Sequence, residues 1–106
     1  MNAYEKFKSD CAVEIETIGK DPAVNKLTND WIKSVNLLKY SYHFEWQGRP
    51  IIQYPQDMVA MQELIWSIKP DLIIETGIAH GGSLIFSASM LALLDMCDAI
   101  EASEKL

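Results

Sequence analysis

The sequence predicts an α/β fold, in which N-terminal helices precede the first strand, turn and helix of a domain built on a parallel sheet. Three observations carry that expectation. Apolar residues recur at helical spacing along much of the chain. The run Leu72-Ile73-Ile74 is apolar without alternation, as expected of a strand buried on both faces of a parallel sheet. Directly after it come Gly77, Gly81 and Gly82, and then a helical pattern resumes.

Taken in order, Tyr4, Phe7, Cys11, Ile15 and Ile18 share one face of a first helix. Gly19 stops it, and Asp21-Pro22 restarts a second, with Asp as N-cap and Pro at the first helical position. Val24, Leu27, Trp31, Val35 and Leu38 form the stripe of that second helix. Tyr40 to Tyr54 is rich in aromatics and is broken by Gly48 and Pro50, which reads as a loop or a short hairpin around Gln47-Gly48. Its aromatic residues form either a local core, a lid over a site or a subunit contact.

Pro55-Gln56-Asp57 opens a third helix with Met58, Met61, Leu64, Ile65 and Ile68 on its apolar face. Lys69-Pro70 ends it, because the residue before proline is driven out of the helical region. After Asp71 and the strand, Leu84, Ser87, Ala88, Leu91 and Leu94 mark a helix whose small residues permit close packing on a sheet. The chain thus divides into residues 1–54, helical and aromatic, and 55–106, the start of a strand-turn-helix domain. Since a parallel strand needs a second one to pair with and the tail offers none, the chain reads as the front part of a longer, truncated α/β domain.

Composition narrows the function classes. In 106 residues, 49% are apolar and 23% charged, as in an ordinary globular protein. Fifteen acidic residues against 9 basic ones leave a net charge of -6, which opposes a general grip on nucleic acid. Cys11 and Cys97 form no C-x-x-C pattern, and Cys11 reads as a reduced core thiol. The charged N-terminus lacks the apolar run of a signal peptide. No stretch reads as the ~20 apolar residues of a membrane span. The expectation is a cytoplasmic protein.

The turn carries the chemistry. A strand passing directly into a helix leaves the first helical N–H groups unpaired at the sheet edge, and small residues let a ligand approach them. The dinucleotide fingerprint is not matched, and neither is the phosphate loop, which lacks its lysine. What matches is acidic-x-Gly-x-small-x-Gly, as Glu75, Gly77, Ala79 and Gly81. This pattern resembles the one that closes the first strand of S-adenosylmethionine-dependent methyltransferases, where the small positions admit the cofactor's amino-acid end. The carboxylate complements its sulfonium and ammonium charges, where it would repel a pyrophosphate.

The run K-P-D-L-I-I-E-T-G-I-A-H-G-G-S-L-I-F-S-A-S-M-L, with W-Q-G-R-P-I-I-Q-Y-P-Q-D and Q-E-L-I upstream, resembles the cephalosporin hydroxylase family over roughly Trp46 to Asp95. That family groups with S-adenosylmethionine-dependent methyltransferases, including rhamnosyl O-methyltransferases. The resemblance implies a Rossmann-like methyltransferase fold, methyl transfer to a hydroxyl of a small molecule or sugar, a divalent metal in many members, and a homo-oligomer. It places Glu75, Gly77, Ala79, Gly81 and Ser83 on the first cofactor motif. The second-strand acidic residue that holds the ribose, and the metal and acceptor ligands, have no counterpart here. The 106-residue chain alone is therefore expected to be inactive.

His80 is read as a turn or cofactor-contact residue in preference to a catalytic base. Ser83 reads either as an N-cap or first-turn hydrogen-bonding residue or as a contact to the cofactor's carboxylate, two roles that can coexist. His43 and Glu45 would share a strand face as a metal pair, but two ligands make a poor site. Asp95, Asp98 and Glu101 lie at helical spacing as a solvated face. A competing reading is a non-catalytic assembly module with exposed apolar helices. An oxidoreductase has no support in the residues.

Overall fold

A computed structural model describes residues 1–104, and the chain divides between Leu38 and Lys39 into two compact units. The first is a helical pair, α1 (Ala3–Gly19) and α2 (Pro22–Leu37). Asn2 caps α1 through a capping box: Glu5 N–H donates to Asn2 Oδ1 at 2.8 Å, and Asn2 N–H donates to Glu5 Oε2 at 3.2 Å. Asp21 caps α2 as its position before Pro22 predicts, accepting from the N–H groups of Ala23 and Val24 at 2.9 and 3.3 Å.

No residue of either helix is buried. Cys11, Val24 and Val35 are half-buried where the pair meets itself, while Tyr4, Phe7, Ile15, Ile18, Leu27 and Trp31 are exposed. The expected helical stripes are present, yet two helices alone cannot cover them. Cys11 is a free thiol, half-buried and not in a core.

The second unit begins with Lys39 in the left-handed region at φ 59°, which ends helical propagation. A 3₁₀ turn, Tyr40–Tyr42, leads into an antiparallel hairpin of β1 (Phe44–Trp46) and β2 (Arg49–Ile51). Gln47 and Gly48 join them at φ 49° and 77°, the two positive angles that a tight two-residue hairpin turn demands. The register pairs Phe44 with Ile51, Glu45 with Pro50 and Trp46 with Arg49.

Helix α3 (Pro55–Ile68) follows, with Pro55 in its first turn, and it ends before Lys69-Pro70 as expected, with Lys69 in the left-handed region. The Lys69 ammonium lies 3.1 Å from the Trp66 ring centroid. Helix α4 (Gly82–Glu104) ends the described chain.

The hairpin lies on α4. Trp46 stands edge-on to Phe86 with centroids 4.9 Å apart, and its indole N–H donates to Ser89 Oγ at 3.1 Å. The Ser89 hydroxyl itself donates to the Ile85 carbonyl at 2.7 Å, so its oxygen is free to accept from the indole. Ile51, Ile65 and Phe86, at 2%, 6% and 5% exposure, are the core, each supplied by a different element. Most of the aromatic segment is therefore structural. Tyr40 contacts Phe44 edge-on, and Trp46 contacts Phe86.

Two expectations need correction. Asp71 to Glu75 forms no strand, and the described sheet contains only β1 and β2. Leu72 is 71% and Ile74 81% exposed, with only Ile73 of the three partly covered. A central strand exists only when neighbours supply its ladder, and no described segment does so. The structure is thus a mixture of helices and a small two-stranded sheet, compatible with the α/β class. The second correction concerns α4. Over Gly82–Ser103 it is long and apolar enough to cross a membrane, by length and composition alone. One flank of it is nevertheless covered, since Phe86 and Ser89 pack against the hairpin.

Candidate cofactor site

The residues between Thr76 and Gly82 turn sharply because three of them take positive φ: Gly77 at 72°, Ala79 at 51° and Gly81 at 86°. Gly81 N–H donates to the Ile78 carbonyl at 2.9 Å and closes the turn. Ile85 N–H then donates to the Gly81 carbonyl at 3.0 Å, the first helical bond of α4. The N–H groups just before Ile85 belong to the set that a helix start leaves without intrahelical partners.

The glycines do different work. A Cβ on Gly77 would meet nothing within 4 Å, so its need is conformational and the space beside it stays open. A Cβ on Gly82 would lie 2.8 Å from both Ile51 Cβ and Pro50 C, and closer still to the Pro50 carbonyl oxygen. Gly82 therefore lets the first turn of α4 sit against the backbone of β2. No motif spacing reveals this packing role. Ala79 holds an angle that costs a β-carbon-bearing residue about 1–2 kcal/mol.

Glu75 precedes the turn. It is half-buried, and its Oε2 is buried without a hydrogen-bond partner among the described residues. A buried acceptor left unsatisfied costs on the order of 1–3 kcal/mol, so this oxygen is poised to accept a donor. Ser83, half-buried in the first turn of α4, lines with Glu75 a groove of about 750 Å³. The rest of that groove is mainly apolar, with walls from α3, Ile73, Ile74 and Phe86.

Of the residues expected at the site, the structure brings Glu75 and Ser83 to one surface. Gly77, Ala79, His80 and Gly81 form the adjoining turn and do not line the groove. His80 is exposed, and the described contacts assign it no catalytic partner. The buried, unpaired state of Glu75 Oε2 fits the acceptor role expected toward a cationic cofactor group, and the vacant side of Gly77 fits close approach.

His43 and Glu45 are not placed as a pair on one strand. His43 lies outside β1 with φ −95° and ψ 4°, so the two do not share a strand face. Among the described residues no group of three or more His, Cys, Asp or Glu side chains is placed to hold a metal ion. Asp95, Asp98 and Glu101 are exposed on α4, as expected of a solvated face.

A glycine turn that follows a partly buried carboxylate and opens a long helix suits an enzyme of methyltransferase type, and comparison with known families agrees. The model of the family described as Rhamnosyl O-methyltransferase/CmcI, the cephalosporin hydroxylase family, matches residues 38–105, and the chain belongs to that family. The match covers the second compact unit from its first residue. No curated protein and no solved structure matches the chain.

Proposed function

We propose that the turn from Glu75 to Ser83 binds the amino-acid end of S-adenosylmethionine, and that the protein serves O-methyl transfer to a hydroxyl of a small molecule or sugar. Family membership supports the reaction type. The observation that carries the cofactor assignment is the buried, unpartnered Oε2 of Glu75 at the head of a turn with open space beside Gly77. When bound, the cofactor supplies an electrophilic methyl group on a sulfonium.

This chain's residues orient that end of the molecule. Glu75 accepts from its ammonium, Gly77 leaves room for the chain to pass, and Ser83 offers a hydroxyl at the first turn of α4. Held in this way, a reacting group gains from proximity and orientation. His80 belongs to the rim of the turn and is not assigned proton transfer. The ribose-holding, acceptor-binding and metal-binding groups expected of the family have no counterpart among the described residues.

The apolar stripes of α1 and α2 favour one addition, that the protein acts as a homo-oligomer whose contacts cover Tyr4, Phe7, Leu27 and Trp31. A cytoplasmic location, without nucleic-acid partners, accords with the acidic charge and is proposed with it. Transfer of a labelled methyl group from S-adenosylmethionine to a panel of hydroxylated acceptors, sugars included, tests the reaction in the intact protein. Ether-linked label is expected. Cofactor binding with label found only on nitrogen would overturn the O-methyl reading.

A further inference from the structure

Arg49 lies outside the turn in sequence and beside it in space. It is the first residue of β2, exposed, and its Cδ lies 4.0 Å from the position a Cβ would take on Gly81. The place of the strand is set by neighbours on both sides. Arg49 pairs across the hairpin with Trp46, whose ring and indole N–H engage Phe86 and Ser89 of α4. Pro50 and Ile51 pack on Gly82 so closely that no side chain fits between them. The arginine stem is thereby held along the last glycine of the turn. Among the described residues its guanidinium has neither an ion pair nor a hydrogen bond. In a chain of net charge -6, a cation left unneutralised beside a turn with a carboxylate at its other end is a specific arrangement.

A ligand with an α-amino-acid end is a zwitterion and needs both an acceptor for its ammonium and a donor for its carboxylate. The turn has Glu75 at its head and Arg49 beside its last residue. A guanidinium is suited to the second task because its fork of N–H groups matches the two carboxylate oxygens. We propose that Arg49 binds the carboxylate of the cofactor's amino-acid end, with Glu75 taking the ammonium. This assignment rests on the cofactor reading above and adds to it a residue and the group that residue recognises.

The test is calorimetric titration of the intact protein and of Arg49→Gln and Arg49→Lys with two ligands. One is S-adenosylhomocysteine, and the other is the same molecule lacking its carboxylate. The wild type is expected to bind the first more tightly. Arg49→Gln should weaken that binding by about tenfold or more while changing affinity for the decarboxylated ligand by no more than about twofold. Arg49→Lys, keeping the charge without the fork, should fall between. Equal losses for both ligands, or no loss for either, would overturn the role of Arg49 while leaving the cofactor site standing. A folded wild type that binds neither ligand would remove the cofactor reading and this assignment together.

Discussion

Gly82 and Pro50 meet so closely that α4 begins against the backbone of the hairpin, with no room for a β-carbon between them. This contact joins the start of the candidate site to β2 and fixes where the first turn of α4 can lie. Gly82→Ala would force a methyl group into the carbonyl of Pro50 and the Cβ of Ile51. A loss of about 1–3 kcal/mol is expected, the usual range for overpacking, read from the urea midpoint at unchanged slope. An unaltered midpoint would mean that α4 and the hairpin are not in register as described.

Gly77→Ala separates conformation from crowding. Nothing lies within 4 Å of the added methyl, yet φ is 72°. The variant should lose about 1–2 kcal/mol through the left-handed backbone alone. Gly77→Asn should recover part of that loss, because asparagine tolerates the region better. Equal stability of all three proteins would contradict the turn geometry.

Much of this architecture is legible in the chain, and the reasons differ from element to element. Asp21-Pro22, Gln47-Gly48 and Lys69-Pro70 act through their own backbone preferences, and each sits where local chemistry places it. Leu72-Ile73-Ile74 does not behave this way. Its reading as a buried strand depends on partners, and without them among the described residues two of its three side chains stand exposed. The stripes of α1 and α2 are legible as helices, whereas what covers them is not. That Glu75 and Ser83 flank one glycine turn is legible from motif spacing. The approach of Arg49 to Gly81 and the packing of Gly82 are not, because both depend on a hairpin about 30 residues upstream folding onto the turn.

The indole of Trp46 and the hydroxyl of Ser89 form a hydrogen bond that spans the hairpin and α4. Trp46→Phe keeps an edge contact with Phe86 and removes the donor. A cost of about 1 kcal/mol is expected, and in a double-mutant cycle with Ser89→Ala the two losses should not add. Additive losses would show that the bond contributes nothing.

The exposed faces of α1 and α2 predict self-association. Light scattering of the purified protein should give a mass above that of one chain, and Phe7→Glu with Trp31→Glu should reduce it. A compact monomer at all accessible concentrations would contradict an assembly role for these helices.

Glu75→Gln removes the charge while nearly preserving shape. Since Oε2 has no partner among the described residues, stability should change by less than about 1 kcal/mol. Affinity for S-adenosylmethionine should fall by about tenfold or more, because a neutral amide no longer complements an ammonium group. A variant that loses stability and keeps affinity would assign Glu75 to the fold and not to the site.

The proposed binding of S-adenosylmethionine at the turn from Glu75 to Ser83 rests on occupancy of that turn. Calorimetric titration of that cofactor into the intact, folded protein tests it most directly. A saturable heat with one site per chain is predicted; a folded sample giving no heat with either S-adenosylmethionine or its demethylated product would contradict it.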